Sequence, residues 1–70
     1  MTYKSLEVPV EIHSDYFMSD GNAFALMAKF TNAVRSSGIN QVVIDNILEE
    51  AMSFDYDHLL STLLENIDLI

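Results

Sequence analysis

Leu6, Val8, Val10 and Ile12 alternate with Glu7, Pro9, Glu11 and His13. A period of two over eight residues places the four apolar side chains on one face of an extended segment and predicts a β-strand over residues 6–13. Pro9 falls on the polar face and has no N–H for a ladder, so the strand belongs at a sheet edge or in a short pair. Residues 14–19 form a connector, within which Tyr16, Phe17 and Met18 are apolar enough for a second short strand.

The period then changes. Ala23, Met27, Phe30 and Val34 recur at helical spacing, and Leu26 and Ala33 widen the stripe. They predict a helix over residues 21–37 that starts near Asp20-Gly21-Asn22 and stops before Gly38, a C′ residue that tolerates positive φ. Asn40 is the expected N-cap of a helix over residues 41–52, with Ile39 and Ile44 as a hydrophobic staple and Ile44, Ile47, Leu48 and Ala51 facing inward. The same grammar returns at residues 56–67. Asp55 caps, Phe54 and Leu59 make the staple, and Asp57 lies in the first turn where the helix dipole favours negative charge. Leu59, Leu60, Leu63, Leu64 and Ile67 then form an apolar band wider than one neighbouring helix requires.

The pattern predicts a single α+β domain over residues 1–70, mostly α: one N-terminal β-strand, or a short hairpin, followed by three packed helices. Val10, Ile12, Phe24, Met27, Phe30, Ile44, Ile47, Leu48, Leu60, Leu63 and Leu64 are its expected core.

Size sharpens this picture. A chain of 70 residues buries only about 60% of its unfolded surface, and domains so small usually need a staple. With no cysteine, disulfides and thiolate zinc sites are excluded, which leaves tight helix packing or oligomerisation. A lone strand also needs a ladder partner, from residues 16–18, from residues 68–70 or from a symmetry mate. The symmetry mate would also bury Val8 and the spare width of the last helix, so a homodimer is the expectation. Half of the residues are hydrophobic, which argues against disorder. Met1-Thr2-Tyr3-Lys4 leads into the alternation instead of an apolar leader, and no run approaches the roughly 20 residues of a membrane span. A cytoplasmic protein without membrane partners is expected.

Charge is distributed unevenly. No lysine or arginine follows Arg35, and seven carboxylates lie between Asn40 and Ile70: Asp45, Glu49, Glu50, Asp55, Asp57, Glu65 and Asp68. The earlier residues set Glu7, Glu11, Asp15 and Asp20 against Lys4, Lys29 and Arg35, and the whole carries a net charge of −8. Three basic residues cannot make a nucleic-acid-binding face, so direct nucleic-acid binding is excluded and a basic protein surface is favoured. Asp45, Glu49, Glu50, Asp55 and Asp57 are the candidate acidic interaction surface, and Tyr16, Phe17 and Met18 a candidate contact patch.

Nothing points to catalysis. His13 and His58 lie in different elements, and no serine stands in a nucleophile elbow. Asp55, Asp57 and His58 are the one cluster of potential metal ligands, but adjacent helical residues diverge by about 100°. Asp20-Gly21-Asn22 lacks the ligand spacing of a calcium loop. No enzyme, cofactor or metal is expected, and no catalytic residue is assigned.

Ser19-Asp20-Gly21-Asn22-Ala23-Phe24-Ala25-Leu26-Met27 and Asp55-Tyr56-Asp57-His58-Leu59-Leu60 carry a resemblance. In them the chain resembles a family of small uncharacterised proteins encoded by bacteriophages, prophages and plasmids, over residues 7–67. That family runs from a short strand through a D-G-N-A-F helix start and an Ile- and Glu-rich helix to a D-Y-D-H-L-L segment. Phe54 stands where the family has glycine, and the turn around residues 15–18 is longer than in the family. The resemblance implies a mobile-element origin in a bacterial host and transfers no functional residue. Together with the charge it favours a non-enzymatic protein that occupies a basic site, as a DNA-mimicking anti-defence inhibitor does. The alternative is an oligomerising structural or accessory module whose acidity serves solubility, with a metal-binding protein or enzyme a distant third.

Overall fold

Three of the helices begin with a side-chain cap of the kind their sequences specify. In the computed structural model, which describes Leu6 and residues 8–70, Asn22 Oδ1 accepts from Phe24 N at 2.8 Å and from Ala25 N at 3.4 Å. Asn40 Oδ1 accepts from Val42 N at 2.8 Å, and Asp55 Oδ1 from His58 N at 2.9 Å. Each cap satisfies backbone donors that the first helical turn leaves orphaned. In chain order the elements are β1 (Val10–Ile12), α1 (Ser14–Phe17), α2 (Ala23–Ser36), α3 (Gln41–Ala51), α4 (Tyr56–Glu65) and β2 (Ile67–Leu69). The fold is α+β and mostly α.

The end of α2 is fixed as clearly as its start. Gly38 has φ +84°, Gly38 N donates to Arg35 O at 3.0 Å, and Ile39 N donates to Val34 O at 3.4 Å. These two bonds make a Schellman motif, which requires a left-handed residue where only glycine fits without strain.

The strand finds its partner inside the chain. β1 and β2 run parallel, with Val10 opposite Ile67, Glu11 opposite Asp68 and Ile12 opposite Leu69. Val10 N donates to Asn66 O at 3.3 Å and Ile70 N to Ile12 O at 3.0 Å, so the ladder is tied at both ends. All four helices form the crossover between the two strands. The need for a ladder partner, one of the two grounds for the expected homodimer, is therefore met by the C-terminal residues, and the other ground, a staple for a small core, is separate from it.

Several expectations are corrected here. The strand spans three residues, not eight, because its ladder begins only after Pro9; Val8 is 78% exposed, and Glu7 lies outside the described residues. Residues 16–18 are not a strand. Ser14–Phe17 is a single helical turn, which drives Phe17 fully into the core. The last helix stops at Glu65 instead of residue 67, and Ile67 moves into β2.

The core gathers Leu6, Val10, Ile12, Phe17, Leu26, Phe30, Val34, Ile44, Ile47, Ala51, Leu59, Leu63 and Ile67, with Met27, Leu48 and Leu60 packed at its margin. Two residues expected in it lie outside. Phe24 is 77% exposed, because it sits two positions, about 200°, round the helix from Leu26. Leu64 is 36% exposed, because the inward face of α4 runs through Leu59, Thr62 and Leu63 and on to Asn66. Thr62 and Asn66 are both buried, and their hydrogen bonds make that possible: Thr62 Oγ1 donates to His58 O at 2.8 Å, and Asn66 Nδ2 donates to Thr62 O at 2.9 Å.

Leu63→Ala removes a fully buried side chain from the centre of this packing and is expected to cost about 2–5 kcal/mol in chemical denaturation. Leu64→Ala, at the rim, should cost far less. Equal losses in the two variants would mean that α4 is rotated from the orientation described.

Candidate functional site

The ends of α2, α3 and α4 meet at one corner of the molecule, and there the surface is apolar. Phe24 and Met27 of α2, Met52 after α3, Phe54 in the loop, and Tyr56 and Leu59 of α4 line an open groove of 270 Å³. Phe24 and Phe54 are exposed by 77% and 79%, and Met52 and Tyr56 are exposed as well. Its floor is core packing, through Ala51 and Leu59.

Three hydrogen-bond contacts and a ring contact fix this corner. Tyr56 Oη donates to Gly21 O at 2.7 Å, binding the start of α4 to the approach of α2. The Asp20-Gly21-Asn22-Ala23-Phe24 and Asp55-Tyr56-Asp57-His58 segments, far apart in sequence, are neighbours through this bond. Gly21 has no positive φ, and a Cβ there would meet Tyr56 Oη at an ordinary 3.7 Å. His58 Nε2 lies 2.8 Å from Glu50 Oε2 and 3.1 Å from Glu50 O, which joins the end of α3 to α4. An ionised carboxylate can only accept, so the proton in this contact is on Nε2. Phe54 packs edge-on against the His58 ring, with centroids 6.2 Å apart. The expected staple of Phe54 on Leu59 is thus replaced by an outward-facing ring over His58.

The predicted acidic surface divides into separate roles. Asp45 and Glu49 are exposed on α3, four residues apart, and Gln41 Nε2 donates to Asp45 Oδ1 at 2.9 Å. Glu50 is only partly exposed, with its carboxylate turned onto His58. Asp55 is exposed but works as the cap of α4, and Asp57 is exposed in the first turn. The predicted contact patch also divides. Phe17 is core, whereas Tyr16 and Met18 are exposed, and Lys29 Nζ stands 5.1 Å from the centre of the Tyr16 ring while donating to Tyr16 O and Ser19 Oγ.

The two described cations are both occupied on α2: Lys29 with Tyr16 and Ser19, and Arg35 with Gln41 Oε1. Among the described residues the Glu50–His58 contact is the one pairing of a carboxylate with a basic side chain, so the other carboxylates present an unneutralised field. Also among the described residues, no three histidine, aspartate or glutamate side chains converge as metal ligands would, and no helix is long and apolar enough to cross a membrane. Comparison of the chain with family models, curated proteins and solved structures returns no match.

The groove was not legible in the sequence as a site. Phe24 reads as core there, because hydrophobicity alone marks it, and Phe54 reads as half of a staple on Leu59. The signal that separates them is position: Phe54 precedes a cap and Phe24 falls off the α2 stripe.

Asp55→Ala is expected to lower stability by about 0.5–2 kcal/mol through loss of the α4 cap. Asp45→Asn should leave the thermal midpoint nearly unchanged, and Asp57→Asn should lower it only slightly, by the favourable charge lost from the first turn of α4. A neutral Asp55→Ala would mean that the cap bond is not formed in solution.

Proposed function

We propose that this chain is a non-enzymatic binding protein of bacteriophage or other mobile-element origin, acting in the cytoplasm of a bacterial host by occupying a basic protein surface. The observation that carries the proposal is the field: exposed carboxylates on α3, α4 and β2 with no lysine or arginine after Arg35. A nucleic-acid-binding protein is the partner such a field suits best. One i, i+4 step along a helix rises about 6 Å, and Asp45 and Glu49 occupy such a step, as phosphate mimicry asks. Anti-defence inhibition is the activity this favours. Mimicry is sparse, however, against the one charge per roughly 1.7 Å of duplex DNA. The proposal therefore rests on charge attraction more than on a copied phosphate track.

A second reading is favoured by the exposed Phe24, Met52, Phe54 and Tyr56. On it the chain is a structural or accessory module that assembles through this corner, with its acids serving solubility.

The test is capture from host lysate by the wild type and by an Asp45→Asn, Glu49→Gln, Asp57→Asn variant, washed at about 0.1 M and about 1 M salt. A partner held by charge elutes in high salt and is captured weakly by the variant. Because all three side chains are exposed, the variant should fold normally, with relief of the Asp45–Glu49 repulsion roughly offsetting the dipole contribution lost at Asp57. Capture indifferent to both salt and substitution would sink the proposal.

A further inference from the structure

We infer that the groove between α2, α3 and α4 is the docking site for an amphipathic helix of a partner protein, with an apolar anchor entering the groove and lysines or arginines beside it. The inference rests on the proposed binding of a basic surface and names the segment of that surface the groove would take.

Size bears on the class of occupant first. At 270 Å³ the groove lies just below the roughly 300–1,000 Å³ of small-molecule sites and is open to solvent. It suits one or two large side chains projecting from a body that stays outside. Exposed Phe24 and Phe54 would cover such an anchor from two sides, and Met52 is a side chain that adapts its shape to what it meets.

Backbone chemistry then favours a helix. Groove-lining residues come from helices and one loop, with no strand among them to which an extended peptide would add. The adjoining donors and acceptors are already used: Asn22 and Asp55 cap their helices, and Tyr56 Oη is committed to Gly21 O. An extended segment would press its own N–H and C=O groups against apolar rings, at the cost of unpaired polar groups. A helix satisfies its backbone internally and presents only side chains.

Charge sets the sign of the flanks. Asp55 lines the groove, Asp20 and Asp57 adjoin the bonded Gly21 and Tyr56 in the chain, and no lysine or arginine lines it. A second copy of this chain would bring its own net charge of −8 against the same value, so a cationic helix is the complementary occupant. An anionic membrane is disfavoured for the same reason.

The probe is a synthetic helical peptide with leucine and phenylalanine on one face and lysine on the other. It is compared with a scrambled peptide of the same composition and with a version in which glutamate replaces lysine. Binding is read by fluorescence anisotropy against the wild type, Phe24→Ser, Phe54→Ser, and the Asp45→Asn, Glu49→Gln, Asp57→Asn variant. Both phenylalanines are mostly exposed, so their variants should fold, and circular dichroism checks this. The expected result is binding of the amphipathic lysine peptide alone, weakened about tenfold or more by either serine variant at every salt concentration. Equal binding of the scrambled peptide, or indifference to Phe24→Ser and Phe54→Ser, overturns the groove while leaving charge-driven binding intact. Loss of binding only in the acid variant has the same meaning. Binding of the glutamate peptide as tightly as the lysine peptide overturns the charge reading as well. A wild-type dimer in sedimentation that Phe54→Ser dissociates would assign the groove to a second copy and overturn the helix.

Discussion

A single buried amide joins the two ends of this fold. Asn66 is fully buried where α4 stops and β2 begins, and each of its polar groups has a partner across that junction. Its side-chain oxygen accepts from Leu6 N at 3.1 Å, and its side-chain nitrogen donates to Thr62 O at 2.9 Å. Its backbone N–H donates to Leu63 O at 3.1 Å, and its backbone oxygen accepts from Val10 N at 3.3 Å. An amide in an apolar interior is costly unless so satisfied. The same requirement specifies geometry, because another arrangement of Leu6, Val10 and α4 would strand at least one of these groups. Parallel pairing of strands 57 positions apart in register follows from that junction, with Ser14 N donating to Ile70 O at 2.9 Å at the far end. The net gain per bond is modest, about 0.5–1.5 kcal/mol, but a domain of this size has little stability to spare.

Asn66 also shows why part of the fold was legible in the sequence and part was not. Caps at Asn22, Asn40 and Asp55 and the stop at Gly38 are local, so residue type and position suffice to place three helices within a few residues. The stripes of α2 and α3 likewise announce Leu26, Phe30, Ile44 and Ile47 by spacing. α4 misleads for a definite reason. Its inward face contains Thr62 and Asn66, polar residues that an apolar count assigns to the outside, so the expected face was displaced toward Leu64 and the helix was extended through Ile67. The partner of β1 depends on contacts across nearly the whole chain, and periodicity carries no information about these. Tyr16, Phe17 and Met18 suit a strand by composition, yet the turn between β1 and α2 is closed by a helix that buries only Phe17.

The candidate site was legible in charge and hidden in shape. Asp45, Glu49 and Asp57 stand exposed as their positions implied, whereas Glu50 is taken by His58 and Asp55 by its cap. An apolar corner rimmed by Phe24, Met52, Phe54 and Tyr56 arises only when three helix ends are brought together. Of these four only Phe24 reads as core from the sequence, and the packing shows it outside a core that is already complete. On the proposed reading, an unneutralised acidic field around an open aromatic groove would divide the work of recognition physically. The field would speed encounter and select the sign of the partner, and the groove would supply short-range specificity that salt does not screen.

Amide hydrogen exchange in the wild type and in Asn66→Leu tests the central claim most directly. In the wild type, Leu6 and Val10 N–H should be protected to the same degree as the amides of α2 and α3. In Asn66→Leu, Leu6 N–H loses its acceptor; its protection should collapse, and global stability should fall by about 1–3 kcal/mol, with the helices still formed. A freely exchanging Leu6 N–H in the wild type, or an Asn66→Leu variant of undiminished stability and protection, would contradict the account.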